Sequence, residues 1–423
     1  KDSGADSVLA RLFAQLKADG MDPSNHGVWL QQGYQHLGSY KGTVPRSAAS
    51  LAKVATSLAA LEKWGVEHRF VTQFWTDGEI RGDRLVGNLI VEGGGDPFFV
   101  WEEAIAVGQA LNRLGIRQVT QDLVLTGQFN MNFLPDPQDP ERFPKNYAGE
   151  LLKIALDAGQ WTPPVEKIFA DAAPTLEQVK PGVKIAGKVR LLPQVKPTKE
   201  RATLLVVRRS LPLVQLLKLM NLYSNNAMAE QLADQLGGGP AIAQALAESM
   251  DFPAGEIQLI NGSGLGVDNK ISPRAATALV LRLAHTLRHP ADGAKSYAIA
   301  DVFPTAGFDK ATIKDRKMPG GSAVKTGTLN AVSALAGLFP THTYNAPGFA
   351  IINGGLPRVL RINQDRLLQN LQGLWGKPNP IPVELTPQKN QQGLTNHDPK
   401  LGDRHRTIIP LLTAPNPKES DSE

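Results

Sequence analysis

Ser50-Leu51-Ala52-Lys53-Val54-Ala55-Thr56-Ser57-Leu58-Ala59-Ala60-Leu61-Glu62-Lys63-Trp64-Gly65 is the stretch on which the reading of this chain turns. Leu51, Val54, Ala55, Leu58 and Leu61 recur on one helical face and Gly65 follows as a terminator, so the spacing predicts a helix over 50–64. Ser50 and Lys53 stand three residues apart at its start, which brings a hydroxyl and an ammonium to one face with their tips in reach. A serine hydroxyl is a poor nucleophile until a base takes its proton. A lysine can be that base if burial or a neighbouring cation holds its pKa down. The helix N-terminus adds unpaired N–H groups that could face a developing oxyanion. Alone the pattern decides nothing: about one Ser-x-x-Lys arises by chance in a chain this long, and Ser50 could equally cap the helix beside a surface lysine.

Outward from that helix, apolar residues at 8, 9, 12, 13 and 16 predict an amphipathic helix, and Gly27-Val28-Trp29-Leu30-Gln31-Gln32 a strand. Between about 72 and 206 the texture changes to short β-like runs separated by Gly, Asp and Pro, such as 72–75, 84–91, 121–125 and 183–192. This stretch reads as a β-rich insertion. Helical periodicity returns at 211–220, 226–236 and 273–288. Strand-like runs then follow at 322–329, 332–339 and 348–353, the first two as an antiparallel hairpin. A helix carrying Leu367, Leu368, Leu371, Leu374 and Trp375 on one side would cover that sheet. From 377 to 423 the composition turns to Pro, Asn and Gln, as in an extended tail.

Composition removes whole classes of function. The 423 residues are 42% hydrophobic and 20% charged, enough for a real core. The 45 basic and 40 acidic residues give a net charge of only +5, without a run of five Lys/Arg or a basic stripe interleaved with aromatics, so no nucleic-acid partner is expected. Absence of cysteine excludes disulfides, thiolate metal sites and a cysteine nucleophile. No apolar run is long enough to cross a bilayer, and no signal-peptide core precedes Lys1-Asp2-Ser3; if the protein is exported, its signal is expected to have been removed already.

Two further segments bear on chemistry. Ser224-Asn225-Asn226 offers a hydroxyl and two amides on a turn between helical segments, or simply a helix N-cap. Lys325-Thr326-Gly327-Thr328 lies on a strand, with both threonine hydroxyls on one face and Gly327 leaving room for another chain segment. Ser322-Ala323-Val324-Lys325 repeats the Ser-x-x-Lys spacing, but three residues apart on a strand means opposite faces, so that pair is rejected. Gly262-Ser263-Gly264 lacks the first glycine of a nucleophile elbow and reads as a turn. Gly93-Gly94-Gly95 lacks a following Gly-Lys and reads likewise. His285 and His289 have no glutamate placed as in a zinc-protease helix, so no metal site is assigned there.

The order helix start, interhelical turn, sheet strand for Ser50-x-x-Lys53, Ser224-x-Asn226 and Lys325-Thr326-Gly327 resembles the active-site serine penicillin-recognising enzymes. The runs Val91-Glu92-Gly93-Gly94-Gly95-Asp96-Pro97, Ser210-Leu211-Pro212-Leu213, Asn261-Gly262-Ser263-Gly264-Leu265, Phe303-Pro304-Thr305-Ala306-Gly307 and 328–337 narrow the resemblance. They look like blocks of the class C low-molecular-mass penicillin-binding proteins, the D-alanyl-D-alanine carboxypeptidase/endopeptidases, over roughly residues 20–375. The resemblance implies an α/β (α+β) penicillin-binding, β-lactamase-like core, an antiparallel sheet flanked by helices, formed by 1–71 and 207–376. It also implies an inserted β-rich domain at 72–206 and a Pro-rich tail at 377–423. The stretch from Ser50 to Ser224 is shorter than is usual in that family, which implies that one accessory domain is reduced or absent.

By resemblance Ser50 is the acylated nucleophile and Lys53 its base; Ser224 and Asn226 relay protons and hold the substrate amide. Lys325, Thr326, Gly327 and Thr328 form the strand that binds the terminal carboxylate, with the backbone N–H groups of Ser50 and Thr328 as oxyanion hole. A D-Ala-D-Ala terminus is an anion, and Lys325 on an open strand can supply its counter-charge. The expected activity is serine D,D-carboxypeptidase or endopeptidase action on peptidoglycan stem peptides in the periplasm or cell envelope. β-Lactams are expected as covalent inhibitors, and no metal or organic cofactor is needed. A β-lactamase or esterase on the same scaffold, and an inactive wall-binding protein, are the alternatives.

Overall fold

The computed structural model describes residues 2–133, 145–172, 176–192, 197–198, 200–388 and 412–413. The chain divides into two compact units, Lys1–His68 with Pro212–Asn396, and Arg69–Leu211 with His397–Glu423.

The first unit is built on a five-stranded antiparallel sheet in the order Ala323–Leu329, Val332–Leu338, Gly348–Gly354, His26–Gln32, Gln35–Tyr40. The hairpin pairs Lys325 with Ala336 and Gly327 with Ala334, at the sheet edge. Alternation fixes which side chains meet which helices. Val28, Leu30, Phe349 and Ile351 join Val8, Leu9, Phe13 and Leu16 of helix Ser3–Ala18 and Leu367, Leu368, Leu371 and Trp375 of helix Pro357–Trp375 in one core. Helix Pro273–Arg288 covers the opposite face, and helix Ala52–Trp64 packs on it. With both faces covered, strand 332–338 is buried at every position, which explains why Ser333 is its one polar residue. The expected helix at 50–64 ends where Gly65, at φ 79°, caps it.

The second unit holds a six-stranded and a four-stranded sheet. In the larger, Val189–Leu191, Leu123–Gln128 and Leu89–Gly94 pair in parallel, and Val71–Thr76 and Thr203–Arg209 continue it antiparallel. Its core contains three helices that the reading of 72–206 as β-rich did not foresee: Trp101–Arg113, Tyr147–Leu156 and Pro163–Asp171. Parallel strands require such crossovers. Helix Trp101–Arg113 has no clean polar face because its acids turn inward: Glu103 meets buried Arg208 at 2.7 Å, and Asp96 completes that cluster.

The tail expected from 377 begins as packed structure. Val383–Leu385 forms a 3-10 turn with Leu385 buried, and the Gln388 N–H donates to Asp301 Oδ1 at 2.8 Å. Apart from 412–413, its remainder lies outside the described residues.

Candidate active site

Ser50 sits in a 3-10 turn, Ala49–Leu51, that leads into helix 52–64. No side chain caps either element, so its hydroxyl is not spent as an N-cap. Ala49 adopts φ 46°, a left-handed conformation that costs a non-glycine residue about 1 kcal/mol or more and persists only where its surroundings impose it. Those surroundings are two glycines. A Cβ on Gly327 would lie 2.9 Å from the Ala48 carbonyl oxygen and 3.2 Å from the Ser50 nitrogen. A Cβ on Gly264, at φ 79°, would overlap the Ala49 carbonyl. Strand 323–329 and loop 261–265 therefore clamp the serine turn through backbone contact from two sides.

Lys53 is fully buried. Its Nζ lies 3.1 Å from Ser50 Oγ and donates to Asn226 Oδ1 and to the Ser263 carbonyl, each at 2.7 Å. Burial, with the Lys325 cation adding to it, holds the amine well below the ordinary lysine range; Glu230 opposes this. In its neutral form the amine has two N–H donors and one lone pair. Two of its three neighbours are carbonyl oxygens, which can only accept, so the lone pair faces the Ser50 hydroxyl. Glu230 supports this arrangement by accepting from the Gly262 and Ser263 N–H groups at 3.0 and 2.9 Å, and Thr56 donates to the Gly262 carbonyl at 2.8 Å. Asn261 holds the loop from within, accepting from the Gly264 N–H at 2.8 Å and donating to the Leu265 carbonyl at 2.7 Å.

Ser224 ends helix Leu213–Tyr223 in the left-handed region, φ 53° and ψ 43°. The capping role that Ser224-Asn225-Asn226 suggested falls to the middle residue: Asn225 Oδ1 accepts from the Met228 N–H at 3.0 Å and starts helix Asn226–Asp234. Its neighbours are thereby released to face Lys53 and Lys325. Lys325, also fully buried, donates to Ser224 Oγ at 3.0 Å and to the Thr326 carbonyl at 2.7 Å, and burial holds its pKa at about 7. Ser50, Ser224, Thr326 and Thr328 line one cleft of about 1180 Å³.

All eight residues selected from the sequence thus converge on one place. The rejected Ser322 is turned away, its hydroxyl donating to the Pro319 carbonyl at 2.7 Å. His285 and His289 lie against each other as tilted rings, centroids 4.7 Å apart. Glu230 and the Ser263 carbonyl were missed. Glu230 follows Asn226 by four residues on one helix, a spacing that marks it as facing the same way; a backbone carbonyl has no signature in residue type.

Over residues 10–178 and 164–370 the sequence matches the D-Ala-D-Ala carboxypeptidase 3 (S13) family. It is 26% identical over 345 residues to carboxypeptidase DacB of Mycolicibacterium smegmatis, covering 73% of this chain and 72% of that protein. To D-alanyl-D-alanine carboxypeptidase DacB of Haemophilus influenzae it is 25% identical over 391 residues, 72% of this chain and 79% of that one. A predatory peptidoglycan endopeptidase of Bdellovibrio bacteriovorus shares the fold, with a TM-score of 0.70 at 22% identity over 92% of this chain and 98% of that one. Penicillin-binding protein 4 of H. influenzae shares it with a TM-score of 0.60 at 21% identity, over 82% and 96%.

Proposed function

Since the chain belongs to the D-Ala-D-Ala carboxypeptidase 3 (S13) family, and with it to the serine-type D-Ala-D-Ala carboxypeptidases, we propose that Ser50 is the residue acylated and Lys53 the base that activates it. Ser50 Oγ attacks the carbonyl carbon of the D-Ala-D-Ala bond while its proton passes to Lys53 Nζ. The oxyanion faces the backbone N–H groups of Ser50 and Thr328. As the tetrahedral adduct collapses, the amine of the terminal D-alanine leaves with a proton relayed through Lys53 and the Ser224 hydroxyl. Water then attacks the Ser50 ester by the same route in reverse, releasing the shortened peptide. Asn226 holds the substrate amide, and Lys325, Thr326 and Thr328 receive the terminal carboxylate. A metal or organic cofactor has no step to perform in this scheme.

The observation that carries this reading is the three-way coordination of Lys53 Nζ by two carbonyl oxygens and the Ser50 hydroxyl. A β-lactam offers the same amide beside a carboxylate, but its leaving nitrogen stays tethered, so the acyl-enzyme persists. A Bdellovibrio endopeptidase of this fold has been seen acylated by penicillin G. The substrate, peptidoglycan, lies outside the cytoplasmic membrane, so we assign the protein to the periplasm or cell envelope; among the described residues no helix is long and apolar enough to cross a membrane.

Intact-protein mass spectrometry with benzylpenicillin tests the assignment. The expected gain equals the whole antibiotic, maps to the peptide containing Ser50 and vanishes in Ser50→Ala. An adduct on another residue, or one that survives the substitution, overturns it. Release of D-alanine from a peptide ending in D-Ala-D-Ala, with slow turnover of a chromogenic cephalosporin, separates the peptidase from a β-lactamase.

A further inference from the structure

Beyond the motif residues, the cleft carries a cation that the scheme above leaves idle. Arg361, on helix 357–375, donates from Nη2 to Thr328 Oγ1 at 2.8 Å. Arg361 and Arg358, one helical turn apart, line the same cleft as Ser50, Thr326 and Thr328. Two acids line the cleft, Asp315 and Asp365; Asp365 is engaged by Arg316 at 2.8 Å, and among the described residues neither Arg358 nor Arg361 is in an ion pair. Arg358 stands in the first turn of the helix, near its positive end, where charge of that sign is disfavoured, and no acidic residue in that turn offsets it. An anion in the cleft would relieve that. Thr328 contributes as well: a hydroxyl has one proton, and with Arg361 donating to its oxygen that proton is free to point into the cleft.

We propose that Arg361 is a specificity-determining residue that grips the terminal carboxylate of the departing D-alanine together with Thr326 and Thr328, and so favours peptides with a free C-terminus over internal cross-links. The inference rests on the reading of Ser50 as nucleophile. Lys325 by itself is a poor anchor at neutral pH, since burial keeps its pKa at about 7 and two of its three N–H groups are engaged by Ser224 and Thr326. A guanidinium stays charged and offers a planar fork matched to a carboxylate.

The test compares acylation by benzylpenicillin with acylation by its methyl ester, in which the carboxylate is masked. In Arg361→Ala the second-order rate constant for the acid falls by about 10- to 100-fold, the size of one lost charge-assisted pair, while that for the ester changes less than about threefold. With a D-Ala-D-Ala peptide the loss appears in KM more than in kcat. Arg361→Lys keeps the charge without the fork and recovers part of the preference. Equal losses for acid and ester, or no loss for either, overturn the inference. Ser50→Ala, which must abolish acylation by both compounds, reports separately on the nucleophile.

Discussion

Lys53 and Lys218 lie in the same unit, each fully buried and each with its ammonium nitrogen among three oxygens. Around Lys218 these are the carbonyls of Ala300 and Phe303, at 2.9 and 2.7 Å, and the carboxylate of Asp309 at 2.6 Å. Around Lys53 they are the Ser263 carbonyl, the Asn226 amide oxygen and the Ser50 hydroxyl. One functional group separates a structural cation from a candidate base. Burial lowers both pKa values, but Asp309 pulls that of Lys218 back up, whereas Lys325 pushes that of Lys53 further down. On the proposed reading of Lys53 as base, withholding a carboxylate at contact distance is what would make a buried lysine a proton acceptor.

The largest effect that can break this comparison is on stability. Asp309→Ala leaves Lys218 buried without a counter-ion and should cost about 3 kcal/mol or more in urea unfolding, as removal of one partner of a buried pair does. An unfolding midpoint that stays put would mean that the two lysines are alike after all. Asn226→Asp makes the converse change, giving Lys53 the carboxylate it lacks. Acylation by penicillin at pH 7 should fall by about 10- to 100-fold and recover as the pH is raised, because a paired ammonium gives up its proton only at higher pH. Asn226→Ala should lower the rate without moving the profile. A rate loss in Asn226→Asp that no pH restores would sever the link between charge state and activity.

The mildest test is the wild-type profile of kcat/KM for D-alanine release. Activity should rise as Lys53 loses its proton, well below the ordinary lysine value of about 10.4. It should then decline gently above about pH 7 as Lys325 loses its charge, by less than about tenfold if Arg361 retains the carboxylate. An acid limb near the ordinary lysine value would mean that Lys53 keeps its proton through the neutral range and is not the base.

The sequence was most informative where local signals agree. The apolar spacing over 50–64 with its Gly65 stop is one case, and the two strand-like runs joined by a short turn at 323–338 are another. Helix Trp101–Arg113 was passed over among the strand-like runs that flank it; it is buried nearly all round, Glu102 and Glu103 included. The tail residues 377–388 escaped because Pro recurs at 378, 380, 382 and 387 while Leu385 is buried among them. In the site, three short motifs were enough to assemble Ser50, Lys53, Ser224, Asn226 and Lys325. The left-handed turn at Ser224 was not visible, and neither was the carbonyl of Ser263, since both are properties of the backbone. Arg361 was invisible for a different reason: the role proposed for it depends on a threonine 33 residues away.

Loop 261–265 touches both halves of the proton-transfer pair, its Ser263 oxygen on the amine and its Gly264 against the turn that presents the hydroxyl. A displacement of that loop would therefore act on donor and acceptor alike. Their separation should be better conserved than the position of either, so the cleft can breathe around a bulky glycan-linked peptide without detuning the proton transfer.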